Sequence, residues 1–218
     1  MANDGGHNYL YKSDGKGHFT DVAYQAGVAL DENGRSPANM GVALGDYLHT
    51  GRFSIVISHF SDQYLELFRN DGNLNFTDVS SVARIKYPSI HDVGWGDAFY
   101  DLDNDGWLDL IVVNGHVYPQ VEQASVGVHF REPSLLFLNQ RDGTFRDAGD
   151  QGGAALKLQR VGRGLLPRDF AGFLAPPFCW ATCWRRPARR STGYSSGFRS
   201  RSASGRTSIV IRQTSCYR

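Results

Sequence analysis

The sequence predicts an all-β fold built from repeated four-stranded units. Three observations lead to this prediction. Short apolar strand signals alternate with turns rich in Gly, Asn and Asp, one strand-turn-strand pattern occurs three times, and a second pattern occurs twice. Aromatic residues make up 12% of the 218 residues and hydrophobic residues 41%, a composition that suits a packed core rather than a disordered chain.

The first repeated pattern is an aromatic-containing strand, a polar turn with Gly, and then Phe, any residue and Asp. Its copies are residues 9–23, 66–80 and 135–149. Phe19 and Phe76 are 57 positions apart, whereas Phe76 and Phe145 are 69 positions apart. The extra dozen residues predict a long loop within residues 117–133.

The second pattern relates "GVALGDYLHTGRFSIVI" (41–57) to "GDAFYDLDNDGWLDLIV" (96–112) at a constant offset of 55. Together the two patterns give four strand signals per unit. They are residues 41–47, 54–60, 64–70 and 75–80, and then residues 94–101, 108–116, 134–140 and 144–149. Four antiparallel strands in about fifty residues are typical of a β-propeller blade, which must stack on neighbouring blades to bury both faces. We therefore predict a partial β-propeller.

The repeat period sets the predicted domain boundaries. Residues 1–170 form the propeller part, with a partial blade at 1–35, blades at 36–85 and 90–150, and the start of a blade at 160–170. Because the first unit supplies only its last two strands, the sequence is expected to be a fragment of a larger ring. Residues 171–218 are predicted to be a disordered or frameshifted Arg/Ser-rich tail.

The composition changes after residue 159. Of the 23 basic residues 12 lie beyond this point, all arginines, whereas only Asp169 of the 22 acidic residues does. A further blade starts on schedule, since Gly164 and Asp169 match Gly96 and Asp101, but the expected acidic turn does not follow. Either the tail is read in the wrong frame, or it is a disordered basic tail. Its charge alone gives only superficial support to nucleic-acid binding, and we expect no nucleic-acid partner.

No membrane segment is predicted from the sequence. The most apolar stretch, "FAGFLAPPFCWATCW", is short and contains two prolines, which makes it a poor membrane span. The opening "MANDGGHNYL" lacks the apolar core of a signal peptide. All three cysteines lie in the tail, so cysteine usage does not indicate the redox compartment of the first 159 residues.

The stretch "DLDNDGWLD" has the side-chain pattern of a calcium-binding loop. Its candidate ligands are the side chains of Asp101, Asp103, Asp105 and Asp109 at positions 1, 3, 5 and 9, and the Trp107 carbonyl at position 7. Gly106 at position 6 allows the sharp turn. An EF-hand would need Glu at position 12, where Val112 stands, and the flanking residues form an apolar β pattern instead of helices. The sequence therefore predicts Ca²⁺ on a β scaffold, with a metal-free turn rich in Asp and Asn as the alternative.

The repeat supplies an internal comparison for this loop. Asp46 matches Asp101, but Leu48, Thr50 and Ser54 stand where the other three carboxylates would be. Hard cations need several oxygen ligands, so this earlier loop is expected to bind calcium poorly or not at all.

The sequences "YDLDNDGWLDLIVVN" and "FRNDGNLNFTDV", together with the blade period, resemble FG-GAP/VCBS repeat proteins. The similarity is greatest to the branch that carries ASPIC/UnbV domains, related to cartilage acidic protein, and it covers residues 3–170. The resemblance implies a calcium-stabilised β-propeller that is extracellular or periplasmic and serves as a scaffold for binding or adhesion to a protein or carbohydrate partner. It also implies further upstream blades, a signal peptide and a C-terminal ASPIC/UnbV domain in the intact protein.

No motif in the sequence predicts catalysis, and we expect no enzyme activity. A nucleophile elbow, a phosphate loop and an HExxH motif are all missing from the sequence. His116 and Tyr118 follow the strand after the acidic loop, where they could contact a ligand or serve only as turn residues. The alternative function is a propeller enzyme acting on polysaccharide, of the lyase or dehydratase type. Such an enzyme would need His, Tyr, Arg and Lys clustered around a cleft. The basic residues of the first 159 positions are few and scattered, which favours the scaffold.

Overall fold

The computed structural model describes residues 1–123 and 127–166, and this part of the chain is mostly antiparallel β-sheet, which confirms the predicted all-β class. The strands are β1 (Tyr11–Ser13), β2 (Phe19–Asp21), β3 (Asn39–Gly45), β4 (Ser54–His59), β5 (Glu66–Gly72), β6 (Asn75–Asp78), β7 (Gly94–Tyr100), β8 (Asp109–Asn114), β9 (Leu135–Asn139) and β10 (Phe145–Asp147). Two short helices, α1 (Ala23–Ala26) and α2 (Ala154–Lys157), accompany them. The predicted tail and the end of the last predicted blade lie outside the described residues.

The first four-stranded sheet has the order β3-β4-β5-β6, so each strand pairs with the next strand along the chain. Val56 of β4 pairs with Ala43 on one side and with Leu67 on the other. Every residue of β4, "SIVISH", is buried, and its centre Ile55–Ile57 is apolar. The sheet lies within the segment predicted as residues 36–85.

The second sheet repeats this order as β7-β8-β9-β10. Its strand β8, "DLIVVN", is also buried at every position, and Leu110 pairs with Phe137 of β9. The connection from β8 to β9 is long, as the repeat spacing predicts, and contains a 3₁₀ turn at Pro119–Gln123. Among the described residues, no helix has the length and apolar character needed to cross a lipid bilayer.

The N-terminal segment contributes a two-stranded sheet, β1-β2, followed by α1. Helix α1 ends at Gly27, which has a φ of 77°. A Cβ atom at this glycine would lie 2.8 Å from the Phe76 carbonyl oxygen, so the position requires both left-handed backbone and close approach to β6.

The apolar side chains form three clusters, one between the two sheets and one on each outer face. The cluster between the two sheets contains Tyr47, Val56, Leu65, Leu67, Val79, Ala83, Ile85, Leu110, Val112, Phe137 and Phe145. On the other face of the first sheet, the N-terminal segment packs through Ala2, Leu10, Ala23, Ala26, Val28 and Ala29 against Ile55, Ile57, Phe68 and Phe76. On the far face of the second sheet the cluster is Ala98, Leu102, Ile111, Leu136, Ala148 and Leu156. Both sheets are thus covered on both faces, which explains why β4 and β8 are buried at every position and apolar at their centres.

The two sheets approach most closely along β3 and β7, the first strand of each. A Cβ atom at Gly41 would lie 2.4 Å from the Trp95 carbonyl oxygen, and one at Gly45 would lie 2.5 Å from the Phe99 ring. Glycine at these two positions of β3 therefore allows the backbones to come together.

The Phe-x-Asp turns keep the same hydrogen bond in each copy. Asp21, Asp78 and Asp147 each accept a bond from the backbone N–H two residues further on, at 3.1, 2.9 and 3.0 Å respectively. These carboxylates serve as turn acceptors, a common use of Asp directly after a strand.

Candidate metal centre

The acidic loop, residues 101–109, connects β7 to β8 and is closed by its first carboxylate. Asp101 accepts the Asp105 N–H at Oδ1 (3.0 Å) and the Gly106 N–H at Oδ2 (2.9 Å). Asn104 and Gly106 adopt positive φ values of 59° and 88°. Asn and Gly tolerate this region better than other residues, so the local sequence suits the turn.

Three carboxylates of this loop converge. Asp101, Asp103 and Asp109 each offer an oxygen, and these oxygens lie within 4.8 Å of one another. Burial raises the pKa of the Asp109 carboxyl, and the charges of Asp103 and Asp105 raise it further. A divalent cation would relieve both effects, because it supplies the compensating charge at short range. Carboxylate oxygens are also the ligands that Ca²⁺ prefers, so the donor set fits this ion.

Asp109 is the buried member of the group and also has a structural role. Its Oδ2 accepts the Leu102 N–H and its Oδ1 accepts the Asn139 N–H, both at 2.9 Å. Each carboxylate oxygen has a second lone pair, so these bonds leave capacity for a metal ion. Asp109 therefore ties the loop to β9 and keeps lone pairs that a metal ion could use.

Asp105 has a different arrangement from the three converging residues. Its Oδ1 accepts the Trp107 N–H at 2.8 Å, and its Oδ2 pairs with the Arg141 guanidinium at 2.7 Å. The hydrogen bond from Arg141 is the largest cause that lowers the pKa of this carboxyl. The predicted roles of Asp105 and of the Trp107 carbonyl as metal ligands stay predictions.

The earlier loop, residues 46–54, has the same closure without the other carboxylates. Asp46 accepts the Thr50 N–H at 2.9 Å and the Gly51 N–H at 2.6 Å. Ser54 Oγ accepts the Asn70 N–H at 3.3 Å, the bond that Asp109 makes to the matching Asn139. One aspartate and one serine thus suffice to close this turn and tie it to its sheet. The carboxylates of Asp103 and Asp105 are additional to what the turn requires.

The two candidate ligand contacts of the following loop lie in different environments. Tyr118 is exposed at 59%, whereas only 3% of the surface of His116 is exposed. His116 Nδ1 accepts the Tyr118 N–H at 3.1 Å, and its ring lies 5.1 Å from that of Phe60. Burial is the largest cause that lowers the pKa of the His116 imidazole. Their role as ligand contacts stays a prediction, and of the two only Tyr118 presents its ring to solvent.

A buried polar group near the ends of β3 and β4 was not predicted from the sequence. His59 Nδ1 contacts the Tyr64 carbonyl oxygen at 2.6 Å, and Nε2 contacts Asn39 Oδ1 at 2.7 Å and Glu66 Oε2 at 3.4 Å. Burial raises the pKa of the Glu66 carboxyl, and the neighbouring His59 lowers it in part. A polar residue such as His59 in a largely apolar strand was the sequence signal for this group. Its partners Asn39 and Glu66 come from the neighbouring strands β3 and β5, so the sequence alone did not identify them. The side chains are each 1% exposed, so this is a structural pair rather than a reactive one.

Asp97 of β7 is a second buried carboxyl that the sequence analysis missed. The ladder between β3 and β4 is interrupted between Asn39 and Val42, and Asp97 Oδ2 accepts the Ser58 N–H at 3.2 Å next to this interruption. Its Oδ1 is buried without a hydrogen-bond partner in the described part of the chain. Burial raises the pKa of Asp97 to about 7.

Comparison with known proteins gives one distant similarity. No protein-family model matches the chain. Cartilage acidic protein 1 of Xenopus tropicalis is 27% identical over 169 residues, which cover 75% of this chain and 25% of that protein. The chain thus corresponds to about a quarter of the length of this relative.

Proposed function

We propose that this chain is part of a calcium-braced β-propeller of the FG-GAP/VCBS type that acts as an extracellular or periplasmic scaffold for binding or adhesion. Two consecutive four-stranded sheets with the same strand order support the propeller. Their close approach along β3 and β7 also supports it, because blades of a propeller stack face to face. The similarity to cartilage acidic protein 1 supports the assignment to this class of scaffold proteins.

The observation that carries the calcium proposal is the comparison of the two loops. Both close through a single aspartate with the same two backbone hydrogen bonds. Only the acidic loop adds Asp103 and Asp105, whose charges repel their neighbours. Each also accepts one backbone N–H within the loop, and a cation gives these negative charges a favourable role beyond those turn bonds.

Asp101, Asp103 and Asp109 would hold the ion, with Asp105 and the Trp107 carbonyl as further ligands. Bound calcium would supply the positive charge that offsets the repulsion between the carboxylates. Because Asp109 also bonds to the Asn139 N–H, a stable acidic loop would strengthen the connection between β7, β8 and β9. The ion is thus proposed as a structural brace and not as a reagent.

The partner proposed for the scaffold is a protein or a carbohydrate. The name of the relative refers to cartilage, an extracellular tissue, and this supports the proposed location. A propeller enzyme acting on polysaccharide is the alternative. It receives little support from His116, the histidine predicted as a ligand contact, or from His59, because both are 3% exposed. A general acid or base has to reach its substrate.

Isothermal titration calorimetry tests the calcium proposal. Wild-type protein is expected to bind Ca²⁺ with a dissociation constant of about 10⁻⁴–10⁻³ M, the range of extracellular modules. Asp103→Asn removes one converging carboxylate and should weaken binding at least tenfold. Asp142→Asn is the matched control, because Asp142 is an acidic residue of the β9–β10 turn that accepts bonds only within that turn, from Thr144. Absence of calcium binding by the wild type, or unchanged affinity in Asp103→Asn, would refute the proposal.

A further inference from the structure

We propose that Arg141 sets the calcium affinity of the acidic loop by competing with the ion for the Asp105 carboxylate. This inference rests on the proposed calcium function and assigns a role to a residue outside the loop. Arg141 lies in the turn between β9 and β10, 36 residues from Asp105. The competition makes metal binding depend on this second turn.

The contact between Arg141 and Asp105 occupies the carboxylate. Arg141 Nη2 and Nε lie 2.7 and 3.2 Å from the same oxygen, Asp105 Oδ2. The other oxygen, Oδ1, accepts the Trp107 N–H at 2.8 Å. A cation bound to Asp105 would share Oδ2 with the guanidinium, or would use the second lone pair of Oδ1 on the same carboxylate. Two positive groups on one carboxylate repel each other, so the two are expected to bind in competition.

The backbone of Arg141 gives an independent reason to assign it a function. Arg141 has a φ of 65°, a region that is unfavourable for residues with a side chain other than Asn or Asp. The matching position in the β5–β6 turn is Gly72, with a φ of 96°. Both residues donate their N–H to the side-chain oxygen of the preceding asparagine, Asn139 for Arg141 (2.8 Å) and Asn70 for Gly72 (2.9 Å).

The matching position has a left-handed φ in both turns, and glycine is the residue that this φ favours. Arginine stands in the strained position only in the turn beside the acidic loop. In the other unit, Gly72 stands in the turn beside the loop that lacks the carboxylates. Arginine therefore occurs beside the loop that has the additional carboxylates, where its side chain forms the ion pair with Asp105.

The surroundings allow the guanidinium to leave when calcium binds. The pair lies at the surface, where 57% of the Arg141 side chain and 21% of the Asp105 side chain are exposed. Exposed ion pairs of this kind are weak, so a divalent ion can displace the guanidinium. An open cleft of about 250 Å³ adjoins the pair and is lined by Asp103, Asp105, Leu138, Asn139, Gln140, Arg141 and Arg146. The displaced side chain has room there.

Calorimetric titration with calcium chloride at low ionic strength tests the inference on the full chain. Arg141→Gln removes the charge, and Arg141→Gly removes the charge together with the backbone strain. Both variants are expected to bind calcium about three- to tenfold more tightly than the wild type, since they lose a competing ion pair and a nearby positive charge. Arg146→Gln is the matched control, because Arg146 lines the same cleft. It should change the affinity by less than about twofold, because the ion pair of Asp105 is with Arg141.

The outcomes distinguish the two proposals. Equal affinities of the wild type and both Arg141 variants, or weaker binding by the variants, would overturn the role of Arg141 alone. The same increase in Arg146→Gln as in Arg141→Gln would also overturn it, because a general charge effect would then replace competition for Asp105. Absence of calcium binding by the wild type and all variants would overturn the calcium proposal, and the inference with it.

Discussion

His49 and Trp107 stack face to face, with ring centroids 4.1 Å apart and ring planes inclined by only 13°. His49 belongs to the loop after β3, and Trp107 belongs to the acidic loop after β7. The two equivalent loops of the two sheets are therefore in direct contact. A change in one loop is expected to affect the other through this pair of rings.

The stacked pair should contribute measurably to stability. His49→Ala is expected to lower the free energy of unfolding by about 0.5–1 kcal/mol, since aromatic pairs of this geometry contribute in that range. In a Trp107→Leu background the same substitution should have almost no effect, because the partner ring is already missing. Urea unfolding of the two single variants and the double variant measures this coupling. Additive effects of the two substitutions would contradict a direct interaction.

Asn139 should be more important for stability than its counterpart Asn70. Asn139 Nδ2 donates to the Tyr47 carbonyl (2.9 Å) in a buried place and to the Leu108 carbonyl (3.0 Å) in a partly buried one, whereas the bond from Asn70 Nδ2 to the Phe53 carbonyl is exposed. We expect Asn139→Ala to cost about 2–4 kcal/mol, because buried acceptors lose their partners.

Asn70→Ala is the matched control for this prediction. It removes the same amide from the equivalent strand end, and it should cost about 1 kcal/mol, because water can replace the lost bond. Chemical denaturation at one pH compares the two variants. Equal losses would show that the bond to the Tyr47 carbonyl adds nothing.

The carboxyl of Asp97 should make the fold less stable as the pH rises. Its pKa is raised by burial from 3.8 to about 7, so between these values the folded state binds more protons than the unfolded state. The free energy of unfolding contributed by this group is therefore highest below pH 4, falls between about pH 4 and 7, and is constant above. The slope reaches at most about 1.4 kcal/mol per pH unit.

Asp97→Asn should remove this part of the pH dependence. The amide oxygen can still accept the Ser58 N–H, so the local geometry is retained. We expect a flatter stability profile between pH 5 and 7 and a gain in stability relative to the wild type at pH 8. Burial also raises the pKa of Glu132 to about 8, so part of the alkaline loss should remain. An identical slope in Asp97→Asn and wild type would contradict the assignment.

The buried pair of His59 and Glu66 should tolerate joint replacement better than single replacement. His59→Leu leaves the buried Glu66 carboxyl without the ring that lies 3.4 Å from it, and an unpaired buried polar group typically costs about 1–3 kcal/mol. The double variant His59→Leu, Glu66→Leu removes both buried polar side chains and should be more stable than His59→Leu alone. Thermal unfolding of both variants tests this expectation. A double variant less stable than the single one would show that the two side chains contribute more than their mutual polar contact.

The amino-acid sequence by itself determined the strands, the turns and the acidic loop. These features depend on neighbours within a few residues: apolar runs such as "LIVVN" form buried strands, and Asp and Gly at fixed positions close turns. Residues related by the repeat offsets also make equivalent hydrogen bonds. The Asn70 N–H bonds to Ser54, and the Asn139 N–H, 69 positions later, bonds to Asp109, which lies 55 positions after Ser54. The converging oxygens of Asp101, Asp103 and Asp109 likewise come from one loop.

Only the tertiary structure decided which distant side chains meet. Arg141 reaches Asp105 because the β9–β10 turn and the acidic loop lie at the same end of the second sheet. The stacking of His49 on Trp107 and the burial of Asp97 beside Ser58 depend on how the two sheets pack. Strand periodicity specifies which face of a strand is buried, but not which side chain of another sheet lies opposite. That choice follows from the close approach of β3 and β7, which the glycines of β3 permit.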